Sequence, residues 1–463
     1  MSAASRHLTP TGTIQSTTDR RRVAFATVAG TTIEWYDYFT YAAAAGLVFG
    51  MLFFEPAGQG IATILAFASV GISFLFRPLG AFLAGHFGDK IGRKPVLVAT
   101  LVLMGAATAL IGLLPTYASA GVWAPILLIV LRIIQGISAG GEWGGAVLMA
   151  VEHAPANRRG FFGSMPQIGV PIGLLLSSGM LQIMNALFPG DAFLEWGWRI
   201  PFLFSIVLIA IGYWIRRGVE ESPVFAEIAE RREQTKAPVA KLFARYTPLV
   251  ILAALVFAGN NAIGYMTTGG YIQNYGTTTL GLERGPVLAA VTWSSVGWLV
   301  FTLVAGVLSD RVGRRTTYII GYVLLGIGAA LVFPIVNIGE IWAVTVALLL
   351  LSVGLGLTYG AQSAWYTELF PSSVRFSGVS IAYAIGSIVG GAFSPTIAAW
   401  ILEATGEATN ITYYLVGMAV IGLVGTLLLR NRNGINLRPG AEEEQRRGIY
   451  IWERPEPVTS SRG

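Results

Sequence analysis

The sequence predicts an all-α membrane protein of twelve spanning helices, arranged as two related bundles of six. Three observations predict it. Apolar residues make up 54% of the 463-residue chain and charged residues only 12%, about half the charged share of a soluble protein. So little charge cannot solvate the surface of a globule this size, and most of that surface must face lipid. The apolar residues gather into twelve runs, each near the roughly 20 residues that a spanning helix needs. The chain also repeats itself. Gly85-His86-Phe87-Gly88-Asp89-Lys90-Ile91-Gly92-Arg93-Lys94 returns as Gly306-Val307-Leu308-Ser309-Asp310-Arg311-Val312-Gly313-Arg314-Arg315, with Asp310 standing 221 positions after Asp89. Glu152, Pro155 and Arg159 are echoed 216 positions later by Glu368, Pro371 and Arg375. Two related halves in one membrane chain are the sequence sign of a transporter.

The elements follow in order. A polar N-terminal tail (1–22) precedes the first run, about 23–50, which is too long for a signal-peptide core and lacks a small-residue cleavage pattern. Runs at about 61–86, 96–115, 123–150, 160–186 and 199–217 complete a first bundle over 23–217. The segment 218–246 carries Glu220, Glu221, Glu227, Glu230, Arg231, Arg232, Glu233, Lys236 and Lys241, and it reads as a solvated, partly helical linker. A second bundle over 247–430 holds runs at about 247–273, 287–308, 316–336, 341–366, 376–402 and 411–430. Residues 431–463 are polar, with Glu442 to Glu444 and several prolines and no apolar heptads, so disorder is expected there. Helices 5 and 11 are rich in glycine and proline (Gly169, Pro171 and Gly173; Gly386, Gly390, Gly391 and Pro395). Such residues suit a rocking interface and are equally ordinary in membrane bundles.

Lysine and arginine gather on one side of the predicted helices: Arg20 to Arg22, both copies of the repeated phrase, Arg158-Arg159, the linker, Arg375 and the tail from Arg430. The opposite loops hold Glu55, Asp191, Glu195, Glu283, Glu340, Glu403 and Glu407, with Arg284 as the main basic exception. This asymmetry predicts a multi-pass protein of the plasma membrane with both termini cytoplasmic. The net charge of +6 is scattered in short clusters, which points to topology and not to nucleic acid. With no cysteine and three isolated histidines, neither a metal site nor a cofactor is expected. An enzyme would need a catalytic cluster, and no histidine, cysteine or serine constellation provides one. A receptor or anchoring protein would not require the internal duplication.

Ionisable groups inside a membrane each need a reason, since insertion of one costs about 2.5–3.5 kcal/mol. The first half has five: Glu34 and Asp37 on helix 1, Arg77 on helix 2, Arg132 and Glu142 on helix 4. At about 1.5 Å per residue, Glu34, Arg77 and Glu142 lie at about 15–18 Å depth, with Asp37 at about 22 Å and Arg132 deeper still. Glu34, Asp37 and Tyr41 share a helix face expected to look into a cavity. One reading gives the proton to the carboxylates, Asp37 first and Glu34 second, and the substrate to Arg132 and Arg77. Tyr41, Gln135, Glu142, Asn260, Asn261 and Gln362 would complete the binding site. The other makes these charges buried pairs that hold helices 1, 2 and 4 together, with Arg77 and Glu142 as the depth-matched pair. The second half has no comparable mid-membrane charge. It offers amides, together with Tyr265, Trp293, Trp298, Trp365, Tyr366 and Tyr383, residue types that more often pack or sit at interfaces.

Several segments carry a family resemblance: Ile33-Glu34-Trp35-Tyr36-Asp37-Tyr38, Phe76-Arg77-Pro78-Leu79-Gly80, the repeated phrase, and Arg132-Ile133-Ile134-Gln135-Gly136. Gly140-Gly141-Glu142-Trp143-Gly144-Gly145, Trp196-Gly197-Trp198-Arg199-Ile200-Pro201-Phe202 and Glu368-Leu369-Phe370-Pro371 continue it. From Gly30 to Arg430 the chain resembles the major facilitator superfamily, and within it the metabolite–proton symporters that include shikimate and α-ketoglutarate permeases. The resemblance implies two six-helix bundles, a central cavity open to one side at a time, and uptake driven by the proton gradient; the expected partners are a small organic acid, protons and lipid, with the chain a monomer. It assigns the repeated phrase to a cytoplasmic gate, with Asp89, Arg93, Asp310, Arg314, Glu152, Arg159, Glu368 and Arg375 as its residues. The segment around Arg132 resembles the superfamily's helix 4 signature, which is associated with proton transfer. Osmosensing relatives carry a long C-terminal coiled coil, and this short tail departs from them. Proton-driven efflux and symport of a zwitterionic compatible solute are the alternatives, although Gly169-Val170-Pro171-Ile172-Gly173 is only a distant relative of the antiporter signature.

Overall fold

The computed structural model describes residues 17–91, 93–140, 142–152, 154–217, 238–268 and 270–453. Among them run twelve long helical stretches, labelled here α1 to α12. In the first half they are α1 Thr17–Ala44, α2 Gln59–Ile91, α3 Arg93–Gly112, α4 in two pieces (Trp123–Ala139 and Glu142–Glu152), α5 Arg159–Leu187 and α6 Arg199–Arg217. In the second they are α7 Pro238–Thr268, α8 Arg284–Val312, α9 Arg314–Val336, α10 Ile341–Leu369, α11 (Arg375–Gly386, a π-helical stretch Ser387–Ala392, then Ser394–Thr405) and α12 Thr409–Leu428.

Nine of these stretches are long and apolar enough to cross a membrane on composition alone, among the described residues. The other three have visible reasons to fall short. α1 is polar because it is interior: Glu34, Asp37 and Thr40 are all buried. The apolar part of α3 is short, Val98–Gly112, and α4 is interrupted after Ala139. Helices that face protein on most sides need not carry a lipid-like composition.

Within the first half α1 packs on α5 and α6, α2 on α4, and α3 on α4 and α6. Within the second, α7 packs on α11 and α12, α9 on α10 and α12, and α8 on α10. The halves meet where α5 lies along α8 and α10, and where α2 lies against α11. Glycine permits the closest of these approaches. A Cβ on Gly160 of α5 would strike the Gly306 carbonyl of α8.

Two boundaries differ from expectation. Residues 238–246, assigned to the linker, already belong to α7, which kinks at Tyr246 (φ −125°, ψ 17°) two residues before Pro248; residues 218–237 lie outside the described residues. The expected disorder from 431 onward gives way to a packed strap as far as Glu453. Arg430 N–H donates to the Ile449 carbonyl at 2.9 Å and Ile451 N–H to that of Leu428 at 3.1 Å, and a short helix spans Glu442–Arg446. The physical reason is a buried cation. Arg432, 7% exposed, donates to the carbonyls of Leu369, Glu444, Gln445 and Arg447, and burial pulls its pKa down to about 10. Residues 454–463 lie outside the described residues.

Candidate functional site

Between the halves lies a small space lined by Trp35 and Phe39 of α1, Asn261 and Tyr265 of α7, Trp298 of α8 and Tyr359 of α10, among others. It is a small cavity with room for about one water. Of the expected binding residues, Asn260 and Asn261 line this space. The Asn260 amide also donates to the Thr358 hydroxyl. Gln362 lies aside, accepting from Gln167 Nε2 of α5 at 3.3 Å as a cross-link between halves.

The buried charges of the first half form two separate groups. Glu34 meets Arg77 at 3.4 Å, and the Arg77 guanidinium lies 4.4 Å over the Phe74 ring. Arg77 of α2 is thus held by Glu34 on the facing helix α1. The Glu142 side chain is outside the described residues. Three positions along the helix the environment changes. Asp37, 2% exposed, accepts from Ser205 Oγ of α6 at 2.6 Å on Oδ1 and from Thr108 Oγ1 of α3 at 2.9 Å on Oδ2. Gln135 Nε2 of α4 donates to the same Thr108 oxygen at 2.7 Å, and Gln135 Oε1 accepts from Arg132 Nη1 at 3.0 Å. Arg132 Nη2 donates to the Val70 carbonyl at 3.1 Å. Its guanidinium lies 4.1 Å over the Tyr41 ring, whose hydroxyl bonds Ser69 at 2.7 Å. Two side chains, Thr108 and Gln135, thus link a carboxylate to a cation with no direct ion pair between them. Asp37 and Glu34 share a helix face and yet differ in kind: one is bound by neutral hydroxyls, the other by a guanidinium.

Sequence reading missed Thr108 and Ser205. Each is one hydroxyl in an apolar run, and its partner stands 71 or 168 positions away. A lone hydroxyl in an apolar helix is a weak signal, since many such residues simply back-bond to their own helix, as Thr108 also does to the Met104 carbonyl.

At the end that carries the repeated phrase, the halves are bolted together. Glu368 of α10 meets Arg159 of α5 at 3.5 Å, and Glu152 of α4 meets Arg375 of α11 at 2.9 Å. These residues are counterparts under the internal repeat, so the bridges are a reciprocal exchange between halves. Asp310 accepts from the Gly160 and Phe161 N–H groups at 2.7 and 2.9 Å, a carboxylate at the positive N-terminus of α5. Arg314 ties Asp310 (2.6 Å) to Glu368 (3.2 Å). Asp310 sits in the last turn of α8, and Gly313 alone (φ 99°) separates α8 from α9. Asp89 and Arg93 occupy the matching positions at the end of α2 and the start of α3; their side chains lie outside the described residues. The strap seals this end, with the Ile435 carbonyl on Arg159 at 2.7 Å and the Leu437 carbonyl and Gln445 on Arg375 at 3.0 and 3.1 Å.

The opposite end is closed as well. Asn274 Nδ2 donates to the Gly46 carbonyl at 2.8 Å and Thr292 Oγ1 to Ser178 Oγ at 3.0 Å. A Cβ on Gly46 would strike Gly270, itself held at φ +81°. A central space shut at both ends is an occluded arrangement.

The Major Facilitator Superfamily model matches residues 38–375 and 282–458. The chain belongs to the major facilitator superfamily. Members of the superfamily most similar to it include the inner membrane metabolite transport protein YhjE of Escherichia coli K12, 39% identical over 414 residues (88% of this chain, 94% of the relative). The shikimate transporter of the same organism is 38% identical over 421 residues (89% and 94%). The E. coli proline/betaine transporter is 32% identical over 438 residues (92% and 87%). The solved structure of the proton:xylose symporter XylE bound to 6-bromo-6-deoxy-D-glucose superposes with a TM-score of 0.73 at 18% identity, over 91% of this chain and 98% of that one. The twelve-helix, two-bundle architecture is that of the superfamily, and the chain is a membrane-embedded transporter and not an enzyme.

Proposed function

We propose that this superfamily member is a proton-coupled symporter that takes up a small carboxylated metabolite across the plasma membrane by alternating access. The observation that carries the reading is Asp37. It is buried, held only by hydroxyls, and linked through Thr108 and Gln135 to Arg132. Proton uptake there would remove a buried charge that no cation meets directly, whereas Glu34 already has Arg77. Arg132 offers a planar fork suited to a carboxylate once the half-bundles part. Relatives named as metabolite and shikimate transporters support an organic acid. The basic residues concentrated at the end of the repeated phrase support cytoplasmic placement of that end and of both termini.

A second reading has its own support. Trp35, Phe39, Tyr265, Trp298 and Tyr359 surround the central space, and aromatic faces hold quaternary ammonium groups well. A zwitterion would then place its cation among the rings and its carboxylate at an arginine, in keeping with relatives named as proline/betaine transporters.

The test is counterflow in proteoliposomes with labelled shikimate, α-ketoglutarate and glycine betaine, followed by accumulation under an imposed pH gradient. A carboxylate-bearing compound should exchange and accumulate. Asp37→Asn should reduce gradient-driven accumulation at least tenfold and spare exchange. Preference for a cation without a carboxylate would overturn the substrate class, and accumulation by Asp37→Asn would overturn the proton site.

A further inference from the structure

We propose that Thr108 is the positioning residue that carries the proton state of Asp37 to Arg132, by turning one hydroxyl hydrogen between two acceptors. The inference rests on the reading of Asp37 as the proton site. Thr108 Oγ1 lies 2.9 Å from Asp37 Oδ2 and 3.0 Å from the Met104 carbonyl, and the hydroxyl has one hydrogen to give. It also receives the Gln135 Nε2 hydrogen at 2.7 Å. These three partners suit two complete arrangements.

With Asp37 ionised, the hydroxyl donates to Oδ2 and accepts from Gln135. Donation to a charged oxygen polarises the hydroxyl and makes its oxygen a better acceptor, which holds Gln135 firmly. Gln135 Oε1 in turn holds Arg132 Nη1. With Asp37 protonated, the new O–H bond is on the carboxyl, and Oδ2 becomes a donor toward Thr108. The threonine hydrogen then swings to the Met104 carbonyl, its oxygen accepts from both Asp37 and Gln135, and no group loses a partner. One proton is taken up and no other covalent bond changes. The Gln135 amide must now share an oxygen that is less polarised, so its grip on Arg132 loosens and the guanidinium is freed to meet an anionic group. Ser205 keeps its bond to Oδ1 in both arrangements.

The surroundings leave the task to Thr108. Arg132 on α4 is the charged group that acts on Asp37; Ser205 on α6 and Thr108 on α3 are neutral, and on α1 itself Glu34 is engaged by Arg77 of α2, while the Tyr36 hydroxyl donates to the Pro201 carbonyl. A valine at 108 would keep the branched shape and remove the switch; a serine would keep the switch.

Infrared difference spectroscopy of the reconstituted full chain during a pH titration tests this with no transported ligand. The wild type should show a buried carboxyl C=O band that Asp37→Asn removes, and a simultaneous change in the arginine guanidinium bands, identified by isotope-labelled arginine. Thr108→Val should move the carboxyl band to higher wavenumber and abolish the guanidinium change, and Thr108→Ser should restore both. Gln135→Leu should leave the carboxyl band in place and abolish the guanidinium change alone. A guanidinium change that persists in Thr108→Val, or that is lost equally in Thr108→Ser, overturns the relay and leaves Asp37 as proton site. A carboxyl band that survives Asp37→Asn overturns the proton site itself.

Discussion

Arg375 shows how much one side chain can bind together at residue scale. It is 4% exposed, it meets Glu152 of the other half at 2.9 Å, and it holds the Phe370 and Leu437 carbonyls and the Gln445 amide oxygen. Replacing Arg375 by an acid leaves the partly exposed Glu152 without its partner and sets a like charge beside it. The pair spans the halves, so its loss falls on the closed state at this end. Arg375→Glu alone should therefore open this end, and Arg375→Glu with Glu152→Arg should close it again. The measurement is labelling of a single cysteine introduced at Ser363 of α10, made possible by a chain with no native cysteine. Equal labelling of the single and double variants would sink the idea that the exchanged bridges set this closure.

At the scale of elements, the strap from Leu429 to Glu453 is the part that most changes the account of the gate. It brings carbonyls to guanidinium groups that already have carboxylate partners, completing their fork of donors. Removing everything after Arg430 should loosen the same end without unfolding the bundles, raising the labelling rate at Ser363 while thermal stability stays near that of the full chain. Unchanged labelling would mean that the strap only decorates the gate. Its docking also has a pH sign. Burial alone would raise the Glu442 pKa, but bonds from Ser373 and Arg446, with Lys241 nearby, bring it below the usual glutamate range. A depressed carboxylate stabilises docking above its unfolded pKa and loses that contribution as pH falls through the folded value. A spin label at Asn436→Cys should thus become mobile in acid below the ordinary glutamate range. Glu442→Gln should flatten the transition, and a transition unmoved by that change would remove Glu442 from the explanation.

For the whole molecule, closure at both ends means that transport requires one seal to break while the other holds. At the end opposite the repeated phrase, Ser178 and Thr292 oppose each other across the halves at 3.0 Å. A cysteine pair at these two positions is close enough to oxidise. The resulting disulfide should arrest counterflow and restore it on reduction, with each single cysteine active. Full transport by the oxidised pair would show that this end does not open. The π-helical stretch of α11 (Ser387–Ala392) lies against α2 and α7, where a locally wider helix gives the moving interface room to readjust.

The sequence by itself determined the class, the count of helices, the duplication and the charges that meet between the halves at one end, because these rest on local composition and on phrases that repeat. Apolar runs of spanning length have one solution in lipid, and Asp310, Arg314, Glu152, Arg159, Glu368 and Arg375 are charges at helix ends that a repeat makes conspicuous. Only the tertiary structure decided who meets whom. Depth along a helix places Arg77 level with both Glu142 and Glu34, and the fold brings Glu34 of the facing helix to it. Thr108, Ser205 and Gln135 meet Asp37 and Arg132 from helices far apart in the chain, and a hydroxyl or amide in an apolar run carries no mark of its partner. The strap was unreadable for the same reason. Its polar composition predicts solvent, and the buried arginines that need its carbonyls lie up to 276 positions away. Composition fixes what a segment can lower its energy by touching; the path of the folded chain fixes what is within reach.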